Sequence, residues 1–424
     1  MPRSLVGYAN FLALLLVGML AIATAPLPRY VPRGRPLSLG QPPPLARALA
    51  RYEPRPLGDE ASRAARSSND LGMALLRTLP KDENAVLSPL SIATSMAMLY
   101  PGANAATRAE LSSSLGYERH GLVHVARGFG SLRNQTAQGK GYRLVEGSAL
   151  FQHSEYKIDK EYARAIRDDI GAQIVTTDFE DIERTRQTIN ELVRETSQGL
   201  IWPALNEPLH PDTRLVLINA VYFKGFWEKP FSVSSTFMGT FMNHGTDPQP
   251  VRIMYMRESF FIKPLPAIDA NAILLPYEGN GAAMLVVLPK LPTGVDALLN
   301  TLSVTDLVSS LHTFTNVSLD LFLPKMELEA SYKLKDELSS VGVSRVFRKG
   351  ELTGIGSTLQ LSDVLHRAKV NVDERGTEAV ALTALPVISY SAYPNFYVSH
   401  PFLFFIIHRS SGTVLFAGKV VQLP

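Results

Sequence analysis

Four small residues, Thr377, Ala379, Ala381 and Thr383, stand at every second position of the segment that runs from Asp373 to Pro386. Successive side chains of a strand point to opposite faces. The run therefore offers one face of small groups and a second face of Glu378, Val380, Leu382 and Ala384. The chemistry this suits is main-chain pairing: a strand with small inward side chains can enter between two others without overpacking a dense interior. Gly376 precedes the run and lets the chain turn where a Cβ would obstruct it. The polar cluster Asp373-Glu374-Arg375 reads as an exposed pivot ahead of it. Glu374, Gly376 and the four small residues together look like a hinge.

Other kinds of chemistry have little support. The chain lacks a phosphate-binding G-x-x-x-x-G-K-[ST] loop, a G-x-S-x-G nucleophile elbow and an H-E-x-x-H zinc helix. His120 and His124 stand four apart, but with no third candidate nearby they read as one helix face and not as a metal site. There is no cysteine, which rules out disulfides and thiolate chemistry. No metal, cofactor or enzymatic activity is expected.

The elements that must hold the hinge follow from periodicity. Leu71, Ala74, Leu75 and Leu79 recur at helical spacing between Ser62 and Leu79, with Ser67-Ser-Asn-Asp70 offering caps. Residues 91–99 and 105–115 read as helices separated by Pro101-Gly102. A further helix contains Ile189-Asn-Glu-Leu-Val193 and ends at Gly199. Strands are expected over 215–222, 272–275, 283–288, 317–323 and 370–372, rich in β-branched and large apolar residues. Two apolar runs, 400–407 and 414–421, flank Ser410-Ser-Gly-Thr413 and predict a closing hairpin. Helices followed by strands point to an α+β fold.

Several segments in this order resemble the serpins. Asn219-Ala-Val-Tyr-Phe-Lys-Gly-Phe-Trp227 with Phe231 is similar to that family's central-sheet signature, and Leu87-Ser-Pro-Leu-Ser-Ile92 to its shutter helix. Thr107-Arg-Ala-Glu110 before Leu115-Gly-Tyr117, Leu275-Pro-Tyr277 before Met284-Leu-Val-Val-Leu-Pro289, and Leu323-Pro-Lys325 before Leu338 extend the match from about residue 65 to the C-terminus. Tyr100-Pro101 departs from the usual pattern at a helix end.

The resemblance implies the serpin fold: helices packed around three β-sheets, with an exposed reactive-centre loop, residues 374–398 with its hinge, able to insert into the largest sheet. It implies a suicide-substrate inhibitor that traps a serine protease as a covalent acyl complex. Counted from Glu374 and back from Pro401, the bond offered to the protease is Tyr390–Ser391, with Ile388 and Tyr393 as rival positions. An aromatic residue there suits an apolar or aromatic, chymotrypsin-like specificity pocket. Leu382 and Pro386 depart from the usual hinge, Pro386 because it lacks the N–H that a central strand donates. Ser88, Ser91, Asn219 and His366 resemble the shutter network, whose buried polar groups need partners. The alternative reading is a non-inhibitory serpin acting as carrier, chaperone or signalling ligand.

The ends and surface add expectations about setting. Arg3 followed by the apolar run 11–23 predicts a signal peptide cleaved near Ala23, and so a secreted, extracellular protein. Residues 24–60 are rich in Pro and Arg and predict an extended tail, leaving 61–424 as the serpin domain. Secretion would make Asn134 and Asn316 glycosylation acceptors. Across its 424 residues the chain has a net charge of +3, too mild to imply nucleic acid. Arg127, Arg133, Lys140 and Arg143 lie in a region where some members of the family this chain resembles bind glycosaminoglycan, but spacing this loose reads as a solvated face. A monomer is expected.

Overall fold

The computed structural model describes residues 58–117, 122–137, 139–356, 358–376 and 393–424. The signal segment, most of the tail, His120, the hinge positions Thr377, Ala379, Ala381 and Thr383, and the bond Tyr390–Ser391 lie outside them.

The first half is largely helical: α1 (Asp59–Thr78), α2 (Pro89–Leu99), α3 (Ala105–Ser114), α4 (Leu122–Ala137), α5 (Lys160–Ala165) and α6 (Ile182–Thr196), with β1 (Ala85–Leu87), β2 (Tyr142–His153) and β3 (Gln173–Thr177) among them. Each start has a local cause where a polar side chain is available. The Asn104 side chain accepts the Thr107 N–H at 2.9 Å to open α3, and Asp181 accepts that of Arg184 at 3.1 Å to open α6. After α6 the Gly199 N–H returns to the Arg194 carbonyl at 2.8 Å with Gly199 at φ +78°, the glycine cap expected from sequence.

The caps proposed for α1 turn out differently. That helix begins at Asp59, and Ser67, Ser68 and Asn69 are buried within it. Tertiary partners take them over: Ser67 donates to the Leu115 carbonyl, and Asn69 donates to Gly412 at 2.9 Å and accepts the Val414 N–H at 2.8 Å.

The second half is dominated by strands: β4 (Leu215–Gly225), β5 (Phe237–Asn243), β6 (Asp247–Leu265), β7 (Ala270–Pro276), β8 (Ala282–Pro289), β9 (Thr315–Pro324), β10 (Met326–Lys333), β11 (Asp363–Val372), β12 (Asn395–Tyr397), β13 (Phe402–His408) and β14 (Thr413–Val420). The closing hairpin is present, β13 pairing antiparallel with β14.

Among the described residues the strands form two hydrogen-bonded sheets. One has nine strands, β1-β14-β13-β8-β7-β6-β9-β12 with β5 also on β6. The other has five, in the order β10-β11-β4-β2-β3. The expected three sheets become two because β6 is nineteen residues long and pairs with β5, β9 and β7 in turn, joining two halves into one ladder system. The five-stranded sheet is the one that adjoins the hinge.

That sheet is covered on one face by α6 and the segment after it, where Val145, Phe151, Ile189, Val193, Val216 and Ile218 are buried in one cluster. Its middle pair, β4 and β11, runs parallel over eight residue pairs, from Asp363 with Val216 to Val370 with Phe223. The hinge follows directly from the end of β11.

Candidate functional site

Two groups of residues border the seam between β4 and β11. The lower one holds the residues expected to form a shutter. His366 and Asn219 are direct neighbours across the parallel pair, and both are buried. The Ser88 backbone N–H donates to His366 Nε2 at 3.0 Å, so Nε2 is the acceptor and the proton sits on Nδ1, which donates to Asn219 Oδ1 at 2.7 Å. Burial pushes the His366 pKa down to about 3, so the ring is neutral near pH 7.

With its Oδ1 taken, Asn219 turns its amide donors to three hydroxyls: Ser91, Ser95 at 3.2 Å and Ser148 at 3.1 Å. Ser91 in turn donates to Glu146 Oε1 at 2.5 Å. The other carboxylate oxygen of Glu146 faces Arg133 Nε at 3.3 Å. One chain of bonds thereby links α2, β2, β4, β11 and α4.

All four expected shutter residues are brought together, although Ser88 takes part through its backbone and its hydroxyl makes no helix cap. Ser95, Ser148, Glu146 and Tyr332, whose ring stacks on His366 at 6.4 Å, were missed. Ser95 was recoverable, being four residues after Ser91 on one helix face. Ser148 was not, because its place opposite Asn219 depends on the β2–β4 register.

The upper group corrects the expectation of an exposed pivot. Arg375 is exposed, but Glu374 is only 2% exposed and is held on several sides. Lys325 Nζ donates to its Oε2 at 2.7 Å and Thr236 Oγ1 to its Oε1 at 2.8 Å. Burial alone would raise the Glu374 pKa, but these bonds carry it below the usual carboxylate range. The main chain is pinned as well: the Phe231 N–H donates to the Glu374 carbonyl at 2.8 Å, the Trp227 N–H to that of Arg375 at 2.9 Å, and Trp227 Nε1 to that of Asp373 at 2.8 Å. Trp227 is itself stacked on Tyr277, with ring centroids 4.6 Å apart. Polar residues in sequence suggested solvent, whereas here the fold supplies their partners. Gly376 is required where it stands, at φ +103° with a Cβ position only 2.1 Å from the Gly225 carbonyl oxygen.

Of the three candidate bait positions, only Tyr393 lies within the described residues. Arg257 lies over its ring at 5.0 Å, and the carbonyl of the next residue, Pro394, accepts the Asp320 N–H at 3.0 Å. Tyr393 is therefore part of the stem that returns the loop to the fold.

The remaining surface expectations separate. Arg133 is spent inward on Glu146 and on the Ile170 and Gly171 carbonyls. Arg127 faces Asp169 at 3.6 Å and Arg143 donates to Gln198, so the basic set does not form an open stripe. His124 bonds to Glu60. Asn134 and Asn316 are both exposed, although Thr136 of the first sequon is buried and donates to the Leu132 carbonyl at 2.9 Å.

Comparison with known proteins agrees with this arrangement. A family model described as serpin (serine protease inhibitor) matches residues 66–423. Intracellular coagulation inhibitor 1 of Tachypleus tridentatus is 35% identical over 375 residues, 86% of this chain and 90% of that protein. Among solved structures, mouse protein-Z dependent protease inhibitor superposes with a TM-score of 0.78 at 27% identity, covering 87% of this chain and all of that one. Human thyroxine-binding globulin, complexed with thyroxine, gives 0.76 at 27% identity over 86% of this chain and 98% of that one. The chain belongs to the serpin family of serine protease inhibitors.

Proposed function

We propose that this serpin is a secreted suicide-substrate inhibitor that traps a chymotrypsin-like serine protease as a covalent acyl complex, with Tyr390–Ser391 as the bond attacked. The observation that carries this reading is the seam. Two strands lie parallel with no strand between them, and the chain that leaves one of them continues into small residues at alternate positions. Such a run can enter the seam with little overpacking. Tyr390 is favoured over Tyr393 as bait because Tyr393 is tied to Arg257 and is followed by a proline that the fold holds.

The secreted location rests on the N-terminal apolar run alone, and extracellular glycosylation at Asn134 or Asn316 would follow from it. A glycosaminoglycan partner has little support, since Arg133 faces inward. The carrier reading is favoured by the likeness to thyroxine-binding globulin and disfavoured by the small, uncharged residues at the alternate positions Thr377, Ala379, Ala381 and Thr383 and by the absence of proline from 377 to 385.

Incubation with chymotrypsin tests the proposal. A complex that survives boiling in detergent is expected, with a released C-terminal fragment beginning at Ser391. Cleavage with no stable complex would favour the non-inhibitory reading, and a fragment starting elsewhere would move the bait.

A further inference from the structure

Where the loop rejoins the fold, one ion pair sets its path. Arg257 on β6 stands directly opposite Asp320 on β9, and Asp320 is in turn the neighbour of Asn395 at the start of β12. The guanidinium grips the carboxylate through Nε at 2.7 Å and Nη2 at 3.1 Å, and the Tyr255 hydroxyl donates to the same carboxylate at 3.0 Å. Two parallel bonds fix the plane of the guanidinium as one bond could not. The Asp320 side chain is 6% exposed while that of Arg257 keeps 45%. The base of the pair is thus buried and its head faces solvent. On that head rests the ring of Tyr393, itself 49% exposed.

We propose that Arg257 is a positioning residue for the leaving-group side of the loop. It orders Tyr393, three residues beyond the Tyr390–Ser391 bond, as a preformed contact for the attacking protease. The partner this fits is a serine protease with an apolar or aromatic surface on the leaving-group side of its cleft. A side chain already held in place costs less to bind than one ordered on contact. The flat guanidinium supplies that order through its attraction to the ring face, an interaction that at this exposure corresponds to roughly a two- to fivefold change in an equilibrium. This inference rests on the bait assignment made above.

The test uses the full-length protein and chymotrypsin, with association rate constants measured for the wild type, Tyr393→Ala, Arg257→Lys and the double variant. Lysine keeps a charge for Asp320 but cannot grip it bidentately and lie flat on the ring at once. Arg257→Lys should therefore melt close to the wild type while associating roughly two- to fivefold more slowly, and should add nothing in the Tyr393→Ala background. An unchanged association rate, or effects of the two substitutions that simply multiply, would overturn the inference. If the wild type forms no boil-resistant complex, the proposed function has failed and the positioning role is read separately. Backbone amides of Phe396 and Tyr397 should then exchange faster in Arg257→Lys, and equal exchange would dismiss it.

Discussion

The neutral state of His366 makes the seam sensitive to acid, and the size of the effect follows from its burial. An imidazole in the unfolded chain titrates near 6.5, whereas in the fold burial holds it down to about 3. The unfolded state therefore binds the proton first, and the stability tied to this residue is fully present above about pH 6.5 and is lost as pH falls toward 3. At about 1.4 kcal/mol per pH unit, the loss attributable to His366 is about 2 kcal/mol at pH 5. His408, pushed by burial to about 4, loses stability over the same range, so the wild type alone cannot isolate the seam. His366→Gln can: an amide does not titrate, yet it retains an acceptor for the Ser88 N–H and a donor for Asn219. Denaturant midpoints at pH 7 and pH 5 should show the wild type losing about 2 kcal/mol more than the variant. Equal losses in the two proteins would refute the assignment of His366 as a buried, neutral member of the latch.

Three further outcomes follow from the hinge. Gly376→Ala places a Cβ against the Gly225 carbonyl at positive φ and should destabilise by about 1–3 kcal/mol; an unaltered thermal midpoint would contradict the geometry. Glu374→Gln removes the anion that Lys325 meets and should lower the midpoint at pH 7. Because the carboxylate pKa is depressed in the fold, that difference should shrink as pH falls below about 4.5, and a difference that persists in acid would exclude the ion pair as its cause. Thr377→Arg leaves the bait intact but would carry an unpaired guanidinium into the seam at a cost of several kcal/mol. It should turn the protein into a substrate, cut without complex formation, and a stable complex formed at the wild-type rate would argue against insertion.

Much of this was legible in the sequence, for particular reasons. β4, apart from half-buried Lys224, and the β13–β14 hairpin are nearly continuous buried runs dominated by apolar residues, so composition alone marked them. β2 was not recognised because Gly147 and two polar neighbours interrupt it, yet the glycine is there for packing: a Cβ would come within 2.5 Å of the Thr196 hydroxyl at the end of α6. β6 was hidden by Pro248, Pro250 and Pro264, residues that ordinarily argue against a strand. Glu374 misled because a carboxylate in a polar cluster implies water, and its real partners lie 49 and 138 positions away in the chain. The shutter residues were identified by resemblance, but the proton position on His366 needed the geometry.

Under the proposed insertion, the short turn after β11 would also set a parity. β11 ends at Val372, the carbonyls of Asp373, Glu374 and Arg375 are already held by Trp227 and Phe231, and the Gly376 N–H donates to the Asp373 carbonyl. A strand doubling back from Gly376 with Thr377 opposite Val372 would set Ala379 beside Val370, Ala381 beside Ala368 and Thr383 beside His366. Those four β11 residues are buried, and His366 points to the shutter, so odd-numbered residues of the incoming chain would share that crowded side. Leu382 would stand with Arg367 on the other. Pro386 would reach only Asp363, the last of the eight pairs, where a missing N–H interrupts no ladder beyond it. The newcomer would run antiparallel to both neighbours, replacing one parallel ladder with two antiparallel ones. Removing a single residue from the turn would reverse every face at once, sending Glu378, Val380 and Leu382 inward and making the same sequence unfit for the space it otherwise matches.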